Sequence, residues 1–161
     1  MSWKLSAAAE RLRAEINTLL PGRDKASDGA VGDTAHSARE SDHNPDENGW
    51  VRAIDIDEDV WGKNNQDPTI ANVLAARLAA IGKMDPRIKY VIFEGKIWSK
   101  SLNWKGRPYD GPNPHGHHIH VSFNKCGDED GSPFGLVAEL KQEVAAAKPV
   151  VVKKSTTKEK K

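Results

Sequence analysis

Residues 115–120 read His-Gly-His-His-Ile-His, so four of the chain's six histidines fall within six positions. Imidazole titrates near neutrality and is the commonest protein ligand for transition metals, and this density points to metal binding, proton transfer or both. His118 to Phe123 (HIHVSF) alternates polar and apolar residues, which predicts a strand. Residues two apart in a strand share a face, so His118 and His120 project together while Ile119 and Val121 turn into apolar packing. His117 then points away from His118 and is expected to be exposed.

A catalytic metal wants three protein ligands and one open position. Cys126 is the only cysteine, so histidines and carboxylates must supply them. The best second source is residues 41–57, SDHNPDENGWVRAIDID. His43 lies in a polar loop, and Asp55 interrupts an apolar strand formed with Ala53, Ile54 and Ile56, where an unpaired carboxylate would be costly. Asp57 shares the strand face of Asp55, so either carboxylate is open as the ligand. Asp57-Glu58-Asp59 as a group reads as a solvated acidic turn.

The elements that must position these side chains follow from periodicity. Leu5, Ala8, Leu12, Ile16, Leu19 and Leu20 have helical spacing, with Ser6 as a cap and Pro21-Gly22 as the stop. Residues 23–49 form a long polar loop, the kind that carries function in a small domain. Val51 to Ile56 predicts a strand. Asp67-Pro68 opens a helix through Ile81 that Gly82 ends. Ile88 to Phe93 and Lys96 to Ser99, split by Glu94-Gly95, predict a hairpin. Ser132-Pro133 starts a last helix to about Ala147. The fold class is therefore α+β, with a small, mainly antiparallel sheet and flanking helices.

At 161 residues the chain suits one domain, taken as 1–147, with a Lys-rich tail or linker at 148–161. A net charge of +1 gives no global reason to expect nucleic acid or an anionic membrane as partner. No apolar run approaches membrane-spanning length, and the first twenty residues are charged and amphipathic rather than signal-like, so synthesis in a cytoplasm without a signal peptide is expected.

Ser41-Asp42-His43 followed by Ala53-Ile54-Asp55 resembles the Ser-x-His … Ala-x-Asp signature of the zinc D-alanyl-D-alanine carboxypeptidase and L-alanoyl-D-glutamate endopeptidase family. His115-Gly116-His117-His118-Ile119-His120 resembles the His-x-x-His-x-His segment of penicillin-insensitive murein endopeptidases, which share its fold. Pro21 to Gly29, Ile88 to Ile92 and Asn113-Pro114-His115 are similar to phage-encoded endolysin peptidases. The likeness covers roughly residues 10–124, and its strength lies in the two half-motifs occurring in this order on these elements. Two departures stand out. Eleven residues separate His43 from Asp55, more than in the better-known members, with the excess in Pro45 to Gly49, a turn-forming run that can bulge outward. Many members carry a glutamate where this chain has His117, which moves the water-activating role toward His118.

The resemblance implies a Hedgehog/DD-peptidase-like fold and one Zn²⁺ held by His43, Asp55 and His120, with His118 as the base. His115 would orient His118 or stabilise the oxyanion. Arg39 and Ser41 precede the first ligand and are candidates for substrate binding. Trp98, Trp104 and Tyr109 either contact a peptide or sugar or pack over the core. The implied partner is bacterial peptidoglycan, cut at the L-Ala-D-Glu bond or, as the alternative on the same site, by D-Ala-D-Ala carboxypeptidase or DD-endopeptidase action. The implied setting is a monomeric endolysin held in the host cytoplasm until a holin opens the membrane. Two rival classes are a His-Asn-His metal nuclease, which would want a helix close behind His120 and a basic face, and a non-catalytic zinc-binding module on the same fold.

Overall fold

Alternation in the strands divides the molecule into an apolar and a polar face. The computed structural model describes residues 2–26, 28–30, 41–111 and 115–149. Strand β1 (Lys4–Leu5) leads into helix α1 (Ala7–Leu19). β2 (Trp50–Val51) and β3 (Ala53–Asp57) precede helix α2 (Pro68–Met84), and then come β4 (Ile88–Phe93), β5 (Lys96–Ser99), β6 (Arg107–Pro108), β7 (His118–Phe123) and helix α3 (Leu136–Ala147). The main sheet has five strands in the order β3-β7-β4-β5-β6, every pair antiparallel, while β1 and β2 form a separate parallel pair. The α+β class and mainly antiparallel sheet expected from the sequence are what the chain adopts.

One sheet face carries Ile54, Ile56, Ile119, Val121, Phe123, Val91 and Phe93, all buried in a single core with α1, α2 and α3. The register places the polar residues of the other face side by side: Asp55 pairs with His120, Asp57 with His118, and Tyr90 with Ser122. A register shift between Ile88 and Tyr90 puts an extra residue, Lys89, on β4.

Three element boundaries differ from the sequence expectation. The strand expected over Val51 to Ile56 is broken at Arg52, whose guanidinium spans Asp46 and Asp128. Gly82 does not end α2, which runs to Met84; Trp104 lies against Gly82 so closely that a Cβ there would sit 2.6 Å from the indole ring. The last helix begins at Leu136 rather than at Ser132-Pro133, because Gly135 takes φ 78° and breaks the run. The buried Glu15 carboxylate of α1 accepts the Phe134 and Leu136 N–H groups at 2.8 and 2.9 Å, doing from a distance what an N-cap side chain does locally.

Candidate metal centre

His43, Asp55 and His120 come from three segments and meet. Asp55 and His120 are opposite one another on β3 and β7. His43 is delivered by a turn in which Ser41 Oγ accepts the His43 N–H and Ser41 O accepts that of Asn44, at 3.2 and 3.0 Å. Arg52 N donates to Asp42 O, and Lys89 Nζ pairs with the Asp42 carboxylate at 3.0 Å, so the turn is tied to the sheet. The long spacing between His43 and Asp55 closes on itself. Asp46 Oδ1 accepts from the N–H groups of Asn48 and Trp50, Arg52 holds Asp46 Oδ2 at 2.7 Å, and Gly49 takes φ 85°. The residues between His43 and Asp55 are thereby gathered into a turn.

His43 Nε2 lies 3.2 Å from His120 Nδ1 and 3.3 Å from Asp55 Oδ1, and His120 Nδ1 lies 3.2 Å from the same carboxylate oxygen. These three residues form a group able to hold a metal ion. The other ring nitrogens are engaged: His43 Nδ1 is 2.6 Å from Ala30 O, and His120 Nε2 is 2.8 Å from Ser122 Oγ. Gly29, just before Ala30, pairs with Asp55 at the edge of β3, so one short segment both closes the sheet edge and orients His43. Asp57 is elsewhere. Its carboxylate groups with Asp24 and Asp59 and accepts the Asp59 N–H, so between the two carboxylates left open by the sequence, Asp55 is the one facing the histidines.

Electrostatics sort the side chains. Burial pushes the Asp55 carboxyl up, but hydrogen bonds from His120 and His43 and the charge of His43 and His118 overcome it and hold the group well below the usual carboxylate range. Burial pulls His43 down, yet the hydrogen bond and charge of Asp55, with Ala30 O and Asp42, leave it raised. His118 goes the other way: burial and the neighbouring His120, His43 and His117 lower it against the raising charge of Asp55, and this net lowering favours the neutral ring. His118 Nε2 is 3.5 Å from Asp55 Oδ1, and its side chain is 18% exposed against 6% for His120.

The remaining candidates divide. His115 joins the centre, its ring 5.2 Å from His118 and 5.0 Å from His120, and it adopts φ 58°. His117 is exposed, as strand alternation requires, with Glu58 Oε1 3.7 Å away. Tyr109 tilts against His115 at 5.7 Å, whereas Trp98 and Trp104 pack against the core. Ser41 is half-buried in the His43 turn; Arg39 lies outside the described residues. Two neighbours escaped sequence reasoning, Ser122 and Tyr90, whose ring stacks on His120 at 5.6 Å and 19°. The alternation that paired His118 with His120 also selects Ser122, so that signal was present. Comparison with protein-family models, curated proteins and solved structures finds no match to this chain.

Proposed function

We propose that the chain is a zinc peptidase of bacterial peptidoglycan, an endolysin cutting the L-Ala-D-Glu bond of the stem peptide. The observation that carries this reading is the triangle of His43 Nε2, Asp55 Oδ1 and His120 Nδ1, with edges of 3.2–3.3 Å and the more exposed His118 beside it. Zinc–nitrogen and zinc–oxygen bonds of about 2.0–2.1 Å on a tetrahedron put ligand atoms about 3.3 Å apart, so the donors fit zinc in type and spacing. Bound there, zinc would polarise the scissile carbonyl and acidify the attacking water. His118, held neutral, would accept a proton from the attacking water and pass it to the leaving amine as the C–N bond breaks. His115 supports His118 through ring contact, and Arg39 and Ser41 are the proposed substrate contacts. The protein acts as a monomer on the wall after holin-mediated release from the cytoplasm, with neither nucleic acid nor membrane as its target.

A zymogram on bacterial walls tests the reading. Clearing is expected with zinc and lost on chelation; clearing that persists after complete zinc removal would overturn it, and nicking of plasmid DNA would favour the nuclease. Mass spectrometry of the digested muropeptides then separates new L-Ala and D-Glu termini from released D-Ala.

A further inference from the structure

We infer that Ser122 is a positioning residue for this centre, its buried hydroxyl holding the far nitrogen of His120 so that Nδ1 is presented to the ion. The inference rests on the metal-centre reading above. A neutral imidazole has one N–H and one lone pair, so whichever nitrogen binds a metal, the other must carry the proton. His43 has no choice in this, because its Nδ1 meets the Ala30 carbonyl at 2.6 Å and a carbonyl only accepts; Nε2 is left to ligate. His120 is turned the opposite way. Its Nδ1 faces Asp55 and His43, both at 3.2 Å, and its Nε2 faces Ser122 Oγ at 2.8 Å.

The partner's chemistry matters here. Without metal, His120 Nδ1–H can donate to Asp55 while the Ser122 hydroxyl donates to Nε2. With metal on Nδ1, Nε2 takes the proton and the same hydroxyl accepts it. Only a group able both to donate and to accept serves the two states with no heavy atom moving, and Ser122 is fully buried, so water does not stand in for it. The ring cannot swing away to find another partner: Tyr90 stacks on one face and His43 meets it edge-on at 5.0 Å and 73°. Hydrogen-bonded partners of this kind typically govern metal affinity by about 10–100-fold.

The test uses the whole chain and Zn²⁺ as the probe. Long-range ¹H–¹⁵N spectra of the zinc-loaded protein are expected to show His120 bound through Nδ1 and protonated at Nε2, and His43 the reverse. Chelator competition should find Zn²⁺ bound about 10–100-fold more weakly by S122A, with affinity restored in S122T, while melting of the metal-free proteins reports any loss of fold separately. Wild-type protein that takes up no Zn²⁺ would sink the metal centre itself. A wild type that binds Zn²⁺ with His120 coordinating through Nε2, or an S122A that binds as tightly as wild type, would overturn the role of Ser122 and leave the centre standing. Should S122A fail to fold, the wild-type spectra decide alone.

Discussion

Asp55 Oδ1 is approached by three imidazoles, His120 at 3.2 Å, His43 at 3.3 Å and His118 at 3.5 Å, and the three are not equivalent. His43 and His120 are buried with both nitrogens engaged, while His118 is more exposed and has a lowered pKa, chiefly from burial. A ligand should be rigid and stripped of water; a proton carrier should be neutral and reachable. Replacing His120 with Ala is therefore expected to abolish both zinc uptake and wall lysis. His118→Ala should keep the metal and slow lysis by about 10²–10⁴-fold, the usual contribution of a positioned acid–base group. Metal content by atomic emission beside a turbidity assay reads both, and zinc lost from His118→Ala but kept by His120→Ala would reverse the two roles. At this scale the sequence showed which residues could meet but not which atoms. Alternation placed His118 and His120 on one face, and the cost of a carboxylate in an apolar strand drew attention to Asp55 with Asp57 on the same face. Choosing between Asp55 and Asp57 needed the long-range approach of His43, which no local period contains.

Among the elements, the hairpin β4–β5 and strand β7 have the bounds expected from the sequence, since their limits are set by local alternation and by Glu94-Gly95. Where expectation and structure part, a tertiary contact has overridden a local signal. Glu15 caps α3 from a distant helix, and Gly82, read as a terminator, is a packing hole. That reading of Gly82 has a measurable consequence. Glycine inside a helix normally costs about 1 kcal/mol relative to alanine, so Gly82→Ala on propensity alone would stabilise. Here the added methyl would lie 2.6 Å from the Trp104 ring. Overpacking of this sort costs about 1–3 kcal/mol, enough to reverse the sign. Urea denaturation should show Gly82→Ala destabilised in the wild-type background and stabilised when Trp104 is also replaced with Ala; an equal effect in both backgrounds would mean that the contact does not govern this crossing.

Across the whole molecule, one sheet face is given to the core and the other to charge, so forces that hold the fold also hold the site. Arg87 shows the first half of this. It grips Asp85 at 2.7 Å, donates to the carbonyls of Asp130 and Ser132, and lies 3.9 Å over Phe134, joining the end of α2 to the approach of α3. The hydrogen bonds and charge of Arg87 outweigh burial and hold the Asp85 carboxyl below its ordinary 3.8. A carboxylate with a depressed folded pKa stabilises fully above its unfolded value and loses that contribution as pH falls through the folded one. Wild-type stability should accordingly drop relative to D85N as the pH is taken below about 3.8, with the two curves converging in acid and separated at neutrality. On the proposed reading zinc would supply the second half, because the three candidate donors lie on β3, on β7 and on the 41–49 turn, and an ion bound only by the folded chain would shift the folding equilibrium. At a free concentration 100 times Kd the gain is about 2.7 kcal/mol, and at about 2–4 °C per kcal/mol for a chain of this size the melting temperature should rise by about 5–11 °C. His120→Ala should show none of that rise, and Mg²⁺, which prefers six oxygen donors, should not substitute. Differential scanning calorimetry with zinc, magnesium and chelator measures all three arms, and a melting temperature indifferent to zinc would refute the idea that the ion ties the turn to the sheet.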